Sequence, residues 1–266
     1  MNQFVNIHPD AKIGANVTID SFVTIEADVV IGEGTWIGAN AVIMNGSRIG
    51  KNCRIFPGAV IGGIPQDLKF QGEQTTVEIG DNTSIREFVT VNRGTKSRMK
   101  TVVGSNCLLM SCVHIGHDCN LGDNVIVSSA TGIAGEVNVG DFAIIGGMTG
   151  VHQFVNIGQH AFVGGASKVG KDVPPYVKAG RDPLSYAGIN SLGLRRRNFT
   201  IDKIEELKEV YRYIYQKGLN RTQAIAAIEA ELKDTPERNE ILQFIKGSKR
   251  GIIKGYFDRV GDEEID

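Results

Sequence analysis

Counted in sixes from Ile7 to Val169, the chain places an aliphatic residue at every step except Asp67, Glu73 and Ser97. Ile13, Ile19, Ile25, Ile31, Ile37 and Ile43 open the series, and Ile145, Val151, Ile157 and Val163 carry it toward its end. A helix repeats every ~3.6 residues and a half-buried strand every ~2, so a six-residue period belongs to neither. It is the mark of a stacked repeat, in which each unit buries its apolar side only against its neighbours. Four residues after each aliphatic runs a second series of small side chains, among them Ala41, Ser47, Cys53, Ala59, Cys107, Cys119, Ala143 and Ala161. Alternate residues of a short strand share a face, so the large residue and the small one both point into a narrow tube. The reading is a β-solenoid with one flat side per hexapeptide. Gly, Asp or Asn commonly follow the aliphatic, as in Ile31-Gly32-Glu33-Gly34 and Ile79-Gly80-Asp81-Asn82. They are expected to supply the positive φ that a tight corner needs.

The 29 Lys and Arg nearly balance the 30 Asp and Glu of the 266-residue chain, which argues against a nucleic-acid or polybasic membrane role. The 33 glycines are accounted for by corners, without invoking disorder. Met1-Asn2-Gln3-Phe4 leads straight into the repeat with nothing resembling a signal peptide, and no apolar run approaches the roughly 20 residues of a membrane helix. A soluble, cytoplasmic protein is expected. Cys112, His114, His117 and Cys119 crowd together, but Cys119, like Cys53 and Cys107, occupies the small inward position. Reduced packing thiols are therefore expected there, with no metal and no cofactor.

Two stretches leave the repeat and return in the same phase, at about 65–76 and about 94–101. Loops on a rigid scaffold are where function tends to sit, although both could simply shield the coil. After Val173-Pro174-Pro175-Tyr176 the periodicity becomes helical: Ile201, Ile204, Leu207, Val210, Tyr211 and Ile214 share a face, and Gly218 is a stop. A second helix is expected after Thr222 and a third from Thr235-Pro236-Glu237, with an acidic tail at 262–266 that frays. The division expected is a β-helix over 1–190 and an α-helical domain over 191–266 that covers the open end of the tube.

Three hexapeptides would make one turn, so residues eighteen apart stack ~4.8 Å apart in neighbouring coils. His117, Gly135 and Gln153 are related this way, Asp118 and Glu136 form the next column, and His152 precedes Gln153. A base, a carboxylate to orient it and a backbone N–H near a reacting carbonyl are the parts an acyl transfer needs. The plainer reading is that each histidine is a solvated surface side chain, and that the whole is a non-catalytic scaffold.

Beyond this, Pro65-Gln66-Asp67-Leu68-Lys69, Ile85-Arg86-Glu87, Asn92-Arg93-Gly94-Thr95, His114-Ile115-Gly116-His117-Asp118-Cys119, Val151-His152-Gln153-Phe154 and Asp172-Val173-Pro174-Pro175-Tyr176 resemble the bacterial UDP-N-acetylglucosamine acyltransferases. The resemblance covers nearly the whole chain. It implies a mainly β fold, a left-handed parallel β-helix of hexapeptide repeats with a C-terminal α-helical domain, assembled as a homotrimer. The hand comes from the resemblance alone, because parallel crossovers are ordinarily right-handed. The implied reaction moves a (3R)-hydroxyacyl chain from acyl carrier protein to the 3-hydroxyl of UDP-N-acetylglucosamine, opening lipid A biosynthesis. His117 would be the general base, Asp118 its orienter and Gly135 N–H the oxyanion donor. Sugar contacts would fall on Asp67, Lys69, His114, His152 and Gln153, and nucleotide contacts on Asn190, Arg196 and Arg197 of a neighbouring subunit. Gly165 would be the acyl-chain ruler; lacking a side chain, it favours about fourteen carbons or more, at ~0.8 kcal/mol per methylene buried.

The chain departs from the family pattern at Glu136, where a histidine is common, and at Ser191 after Asn190. Glu136 beside Asp118 would either raise the pKa of His117 or be neutralised by a cation. Lys168, Lys171, Arg195, Arg196 and Arg197 could dock the acidic carrier. A 3-amino analogue of the sugar stays open as acceptor. The related N-acyltransferase, which carries a uridine-binding domain ahead of its repeat, fits poorly because the hexapeptides begin near Ile7.

Overall fold

The computed structural model describes residues 4–255. From Asn6 to Val169 the chain winds as a parallel coil of short strands, mostly two residues long, and all but Val60–Gly63 and Thr90–Asn92 end on the aliphatic of a hexapeptide. Successive strands go in turn to three flat sheets of nine, eight and eleven strands. Pairing runs at a spacing of eighteen, as in His114 with Gly132 and Gly132 with Gly150 on the first sheet. It stays in phase across both loops: Val60 pairs with Thr90, and Thr90 with His114. Each loop therefore adds whole hexapeptide equivalents, and no aliphatic is turned outward, as a slip of one residue would do.

The aliphatics form the axis of the tube. Ile37, Ile43, Ile55, Ile61, Ile85, Leu109, Ile115, Ile133 and Ile145 are fully buried, each contributing about 1.5–3 kcal/mol by burial. Cys53, Cys107 and Cys119 fill the small positions, and their thiols donate to the carbonyls of Gly80, Gly122 and Ala134 at 3.1–3.2 Å. Burial pushes the Cys107 thiol up to about 11 and the Cys119 thiol to about 12, so both are protonated and inert.

The corners correct one expectation. Positive φ falls three residues after the aliphatic, at Gly34, Asn52 and Asn82 but also at Phe22, Phe88, Asp118, Ala130, Glu136, Phe142 and His160. Gly32, directly after Ile31, is glycine for another reason: a Cβ there would lie 2.5 Å from the carbonyl carbon of Gly50 in the next coil. The glycine permits close stacking, whereas the left-handed residue that turns the corner is often not glycine at all.

The two ends of the tube differ. At the first coil Ile7 is 39 % exposed. At the last, Val177–Gly180 continues the third sheet and pairs antiparallel with Ser185–Ile189, while Asp172 bridges to Ile252. Over this hairpin lie α1 (Ser191–Arg196), α2 (Ile201–Tyr215), α3 (Arg221–Glu231) and α4 (Pro236–Gly247). Thr200, Asn220 and Thr235 cap the last three, each accepting a backbone N–H in the first turn. The second of these begins at Arg221, with Asn220 and Gln223 forming a capping box. On α2, Ile204, Leu207, Val210 and Tyr211 face inward, and the Tyr211 hydroxyl donates to the carbonyl of Pro175 at 2.6 Å. Ile201, expected on the same face, is instead 71 % exposed in the first turn of α2. The 262–266 tail lies outside the described residues. Among the described residues no helix is long and apolar enough to cross a membrane, and no group of three or more His, Cys, Asp or Glu could hold a metal ion.

Candidate active site

The corner between the first and second sheets borders a cavity of about 590 Å³ lined by His114, His117, Gly135, His152 and Gln153, with Gln66, Asn92 and Lys168 at its margins. Stacking of the coils, with Gln66 added from the first loop, brings together residues up to 102 positions apart in sequence, Gln66 to Lys168. His117 is 7 % exposed, and its Nδ1 lies 2.8 Å from Oδ2 of Asp118. Its Nε2 faces Gly135 so closely that a Cβ there would sit 2.5 Å from that nitrogen. Only glycine fits beneath this ring. The Gly135 N–H makes no hydrogen bond among the described residues, in contrast to Glu136 N–H, which donates to the His117 carbonyl at 2.9 Å.

Asp118 is fully buried with φ +57° and is held by the second loop. It accepts from Thr95 N–H at 3.0 Å, from the Thr95 hydroxyl at 2.6 Å and from Arg98 N–H at 3.0 Å. Its own N–H donates to Thr101 Oγ1 at 2.8 Å. Several donors converge on this dry carboxylate and fix its plane. Its Oδ2 accepts a hydrogen bond from Nδ1, which leaves the Nε2 lone pair turned to the cavity. His114 Nδ1 shares a 2.8 Å hydrogen bond with Thr90 Oγ1, and burial together with nearby His117 holds this imidazole below its ordinary value, hence neutral.

Glu136 stacks one coil above Asp118 and is met by a cation: Arg98 Nε lies 3.8 Å from Glu136 Oε2. Of the alternatives the sequence left open for this carboxylate, the structure contains the neutralising partner.

The other expected site residues lie elsewhere on the protomer. Asp67 and Lys69 are in the first loop beside Gln66, with Asp67 Oδ1 accepting from Lys69 N–H at 3.0 Å. Gly165 is on the corner between the third and first sheets, where a Cβ would meet the Gly147 carbonyl at 3.1 Å. Asn190 caps α1 and also donates to the His160 carbonyl at 2.9 Å, so its amide is used within the fold. Arg197 lies over Phe142 at the remaining corner and donates to that residue's carbonyl at 3.1 Å, while Arg196 is exposed at the end of α1. Sequence reasoning missed Thr95, Thr101 and Arg98 as supports of Asp118. Their signal was slight, since two of the contacts come from backbone N–H groups that any residue carries.

A tube of stacked hexapeptides bearing an imidazole–carboxylate pair over a bare peptide defines a transferase of the hexapeptide-repeat class. The family model described as bacterial transferase hexapeptide, six repeats, matches residues 28–63, and that described as UDP N-acetylglucosamine O-acyltransferase, domain 2, matches residues 172–253. The acyl-(acyl-carrier-protein)-UDP-N-acetylglucosamine O-acyltransferase of Sulfurihydrogenibium sp. (strain YO3AOP1) is 56 % identical over 98 % of this chain and 100 % of its own length. That of Chlorobaculum parvum is 60 % identical over 72 % of this chain and 73 % of its own. Among solved structures, the UDP-N-acetylglucosamine acyltransferase of Bacteroides fragilis superposes with a TM-score of 0.94 at 51 % identity, covering 96 % of this chain and 100 % of that one. The chain belongs to the acyl-(acyl-carrier-protein)-UDP-N-acetylglucosamine O-acyltransferase family, and its coil is the left-handed β-helix.

Proposed function

We propose that the cavity transfers a (3R)-hydroxyacyl chain from acyl carrier protein to the 3-hydroxyl of UDP-N-acetylglucosamine, the first acylation of lipid A assembly, with His117 as general base. The observation that carries this reading is the Asp118–His117–Gly135 alignment: a buried carboxylate on Nδ1 at 2.8 Å, with Nε2 pointed across a side-chain-free residue into the cavity. Nε2 takes the hydroxyl proton as the sugar oxygen attacks the thioester carbonyl. The oxyanion that forms is met by the unengaged N–H of Gly135. On collapse the C–S bond breaks, and the imidazolium returns its proton to the departing thiolate. His114, His152 and Gln153 orient the sugar, with Asp67 and Lys69 reaching in from the first loop.

The reaction runs in a homotrimer in the cytoplasm. An apolar corner supports the assembly: Phe22, Phe88 and Met148 stand 60 %, 65 % and 73 % exposed on the edge shared with Gly165. Covering it would bring a neighbour's Arg196 and Arg197 toward the nucleotide, and would make Gly165 part of an intersubunit groove that measures the acyl chain. Lys168, at the cavity margin, and Lys171 suit the acidic carrier.

The test is an assay of purified protein with UDP-N-acetylglucosamine or its 3-amino analogue and a series of hydroxyacyl-carrier donors, with product mass as the readout. Ester formation on the 3-hydroxyl is expected, with donors of about fourteen carbons preferred. Absence of an acylated nucleotide sugar would refute the reading. Gly165→Met should move preference to shorter donors; an unchanged profile would remove the ruler.

A further inference from the structure

We infer that Arg98 is a positioning residue, the outer latch that closes the second loop over the His117–Asp118 pair; this rests on the reading of His117 as the base. Arg98 does not line the cavity, so it acts without touching substrate. Its backbone N–H donates to Asp118 Oδ1 at 3.0 Å, next to the two donors from Thr95. Its guanidinium reaches away from the cavity to the second sheet, where Nη1 donates to Asn138 Oδ1 at 2.7 Å and Nη2 to the Glu136 carbonyl at 3.4 Å.

Asn138 is itself anchored. Its Nδ2 donates to Asn156 Oδ1 at 2.7 Å, and Asn156 Nδ2 donates to Asp172 Oδ2 at 3.3 Å. Asp172 is fully buried and also accepts from Ser248 Oγ at 2.6 Å, just beyond α4. A ladder of amides one coil apart thus ties the loop to the capped end of the tube. Such a ladder has a directional requirement. Each amide must offer its oxygen to the rung on one side and its N–H to the rung on the other, and a guanidinium at the start and a carboxylate at the finish satisfy both ends. The Arg98 fork holds a side-chain amide and a backbone carbonyl at once, which a lysine ammonium on a flexible stem does not reproduce. Asp118 is the charged group in contact with the imidazole, and Arg98 is the cation beside Glu136 one coil above it.

The test compares Arg98→Ala, Arg98→Lys, Asn138→Ala and the Arg98→Ala/Asn138→Ala double variant with wild type. Small displacements of catalytic groups can cost ~10²-fold. We expect Arg98→Ala to lower kcat about tenfold or more with KM for both substrates within about twofold, and Arg98→Lys to recover little of it. Asn138→Ala should lose a smaller part, and the double variant no more than Arg98→Ala alone, as for residues acting in series. Amide hydrogen exchange at Thr95 supplies a readout independent of catalysis: it should quicken about tenfold in Arg98→Ala without a matching loss of thermal stability. Full rescue by lysine, a loss carried in KM, or unchanged Thr95 exchange would each overturn the latch. If His117→Ala keeps full turnover while Thr95 exchange still responds to Arg98, the general-base reading fails and the latch on the loop stands.

Discussion

His117 and His160 are buried to the same degree, each 7 % exposed, on two corners of one coil system, yet they are built for opposite purposes. His117 has a carboxylate on one nitrogen and a cavity on the other. His160 lies in a column of rings, 4.9 Å from Phe142 and 5.5 Å from Tyr176 and nearly parallel to both, with Phe199 set edgewise at 5.2 Å. Its Nδ1 is buried without a partner among the described residues, and burial, aided by the nearby Arg197 charge, lowers its titration to about 4. Stacking at an eighteen-residue spacing places an imidazole at either corner equally well. What separates a catalytic position from an aromatic filler is the next layer of contacts: a carboxylate clamped by a loop, and open space above.

The largest test of this contrast is substitution of the two rings. His117→Ala should lower kcat by about 10²–10⁴-fold, the range for loss of a general base, with the protein still folded because only a corner is vacated. His160→Phe, which keeps the ring column, should change kcat far less. Steady-state assays at a temperature where both remain folded decide it, and equal losses would dissolve the distinction.

Asp118→Asn comes next. The amide cannot accept the proton-bearing Nδ1 in the same way while serving Thr95 and Arg98, so the imidazole loses its fixed tautomer. A fall of about 10²–10³-fold in kcat is expected, with little change in KM for the acceptor. Turnover within threefold of wild type would show that the loop, and not the carboxylate, orients the ring.

The corner of His160 makes a prediction about stability instead. Its titration in the folded state is lowered from 6.5 to about 4, so the unfolded chain binds the extra proton first as pH falls. The stabilisation present above pH 6.5 is therefore lost progressively between about 6.5 and 4 and is fully gone below that, amounting to about 3 kcal/mol. Denaturant unfolding across this window should show a slope that is reduced in His160→Phe. Parallel curves for the two proteins would mean that the ring is solvated in the native state.

Much of this was readable in the residues. The six-residue period specified short strands, three sheets and the stacking of His117, Gly135 and Gln153, because a repeat states its own register many times over. The helix α2 was legible from the spacing of Ile204, Leu207, Val210 and Tyr211, and α4 from Thr235 ahead of Pro236. The six-residue α1 was not: it is too short to show periodicity, and Asn190 reads equally as a loop residue until its side chain is seen accepting from Gly193 N–H. The support of Asp118 was hidden for another reason. Thr95 and Arg98 reach it from a loop that breaks the phase, largely through backbone groups without a sequence signature. The corner glycines were misread because the same residue answers two demands, positive φ at Gly34 and close stacking at Gly32, and composition does not tell them apart.

The smallest expected effect bears on why one corner is open. Gly132 and Gly150 occupy outward strand positions of the first sheet between His114 and Lys168, and both line the cavity. Unlike Gly135, neither is demanded by the fold: a Cβ at either meets nothing within 4 Å among the described residues, and neither has positive φ. Glycine inside a strand costs about 0.5–1 kcal/mol relative to alanine, so within the protomer alone these residues are a net loss. The advantage must lie in the bare floor they give the cavity, which the ring-filled corner of His160 lacks. Gly150→Ala should therefore leave the melting temperature unchanged or raise it by a few degrees, while raising KM for one substrate about three- to tenfold at nearly constant kcat. Unchanged KM would mean that the floor is wider than its ligand needs; a lowered melting temperature would place the reason for glycine back in packing, here against a neighbouring subunit.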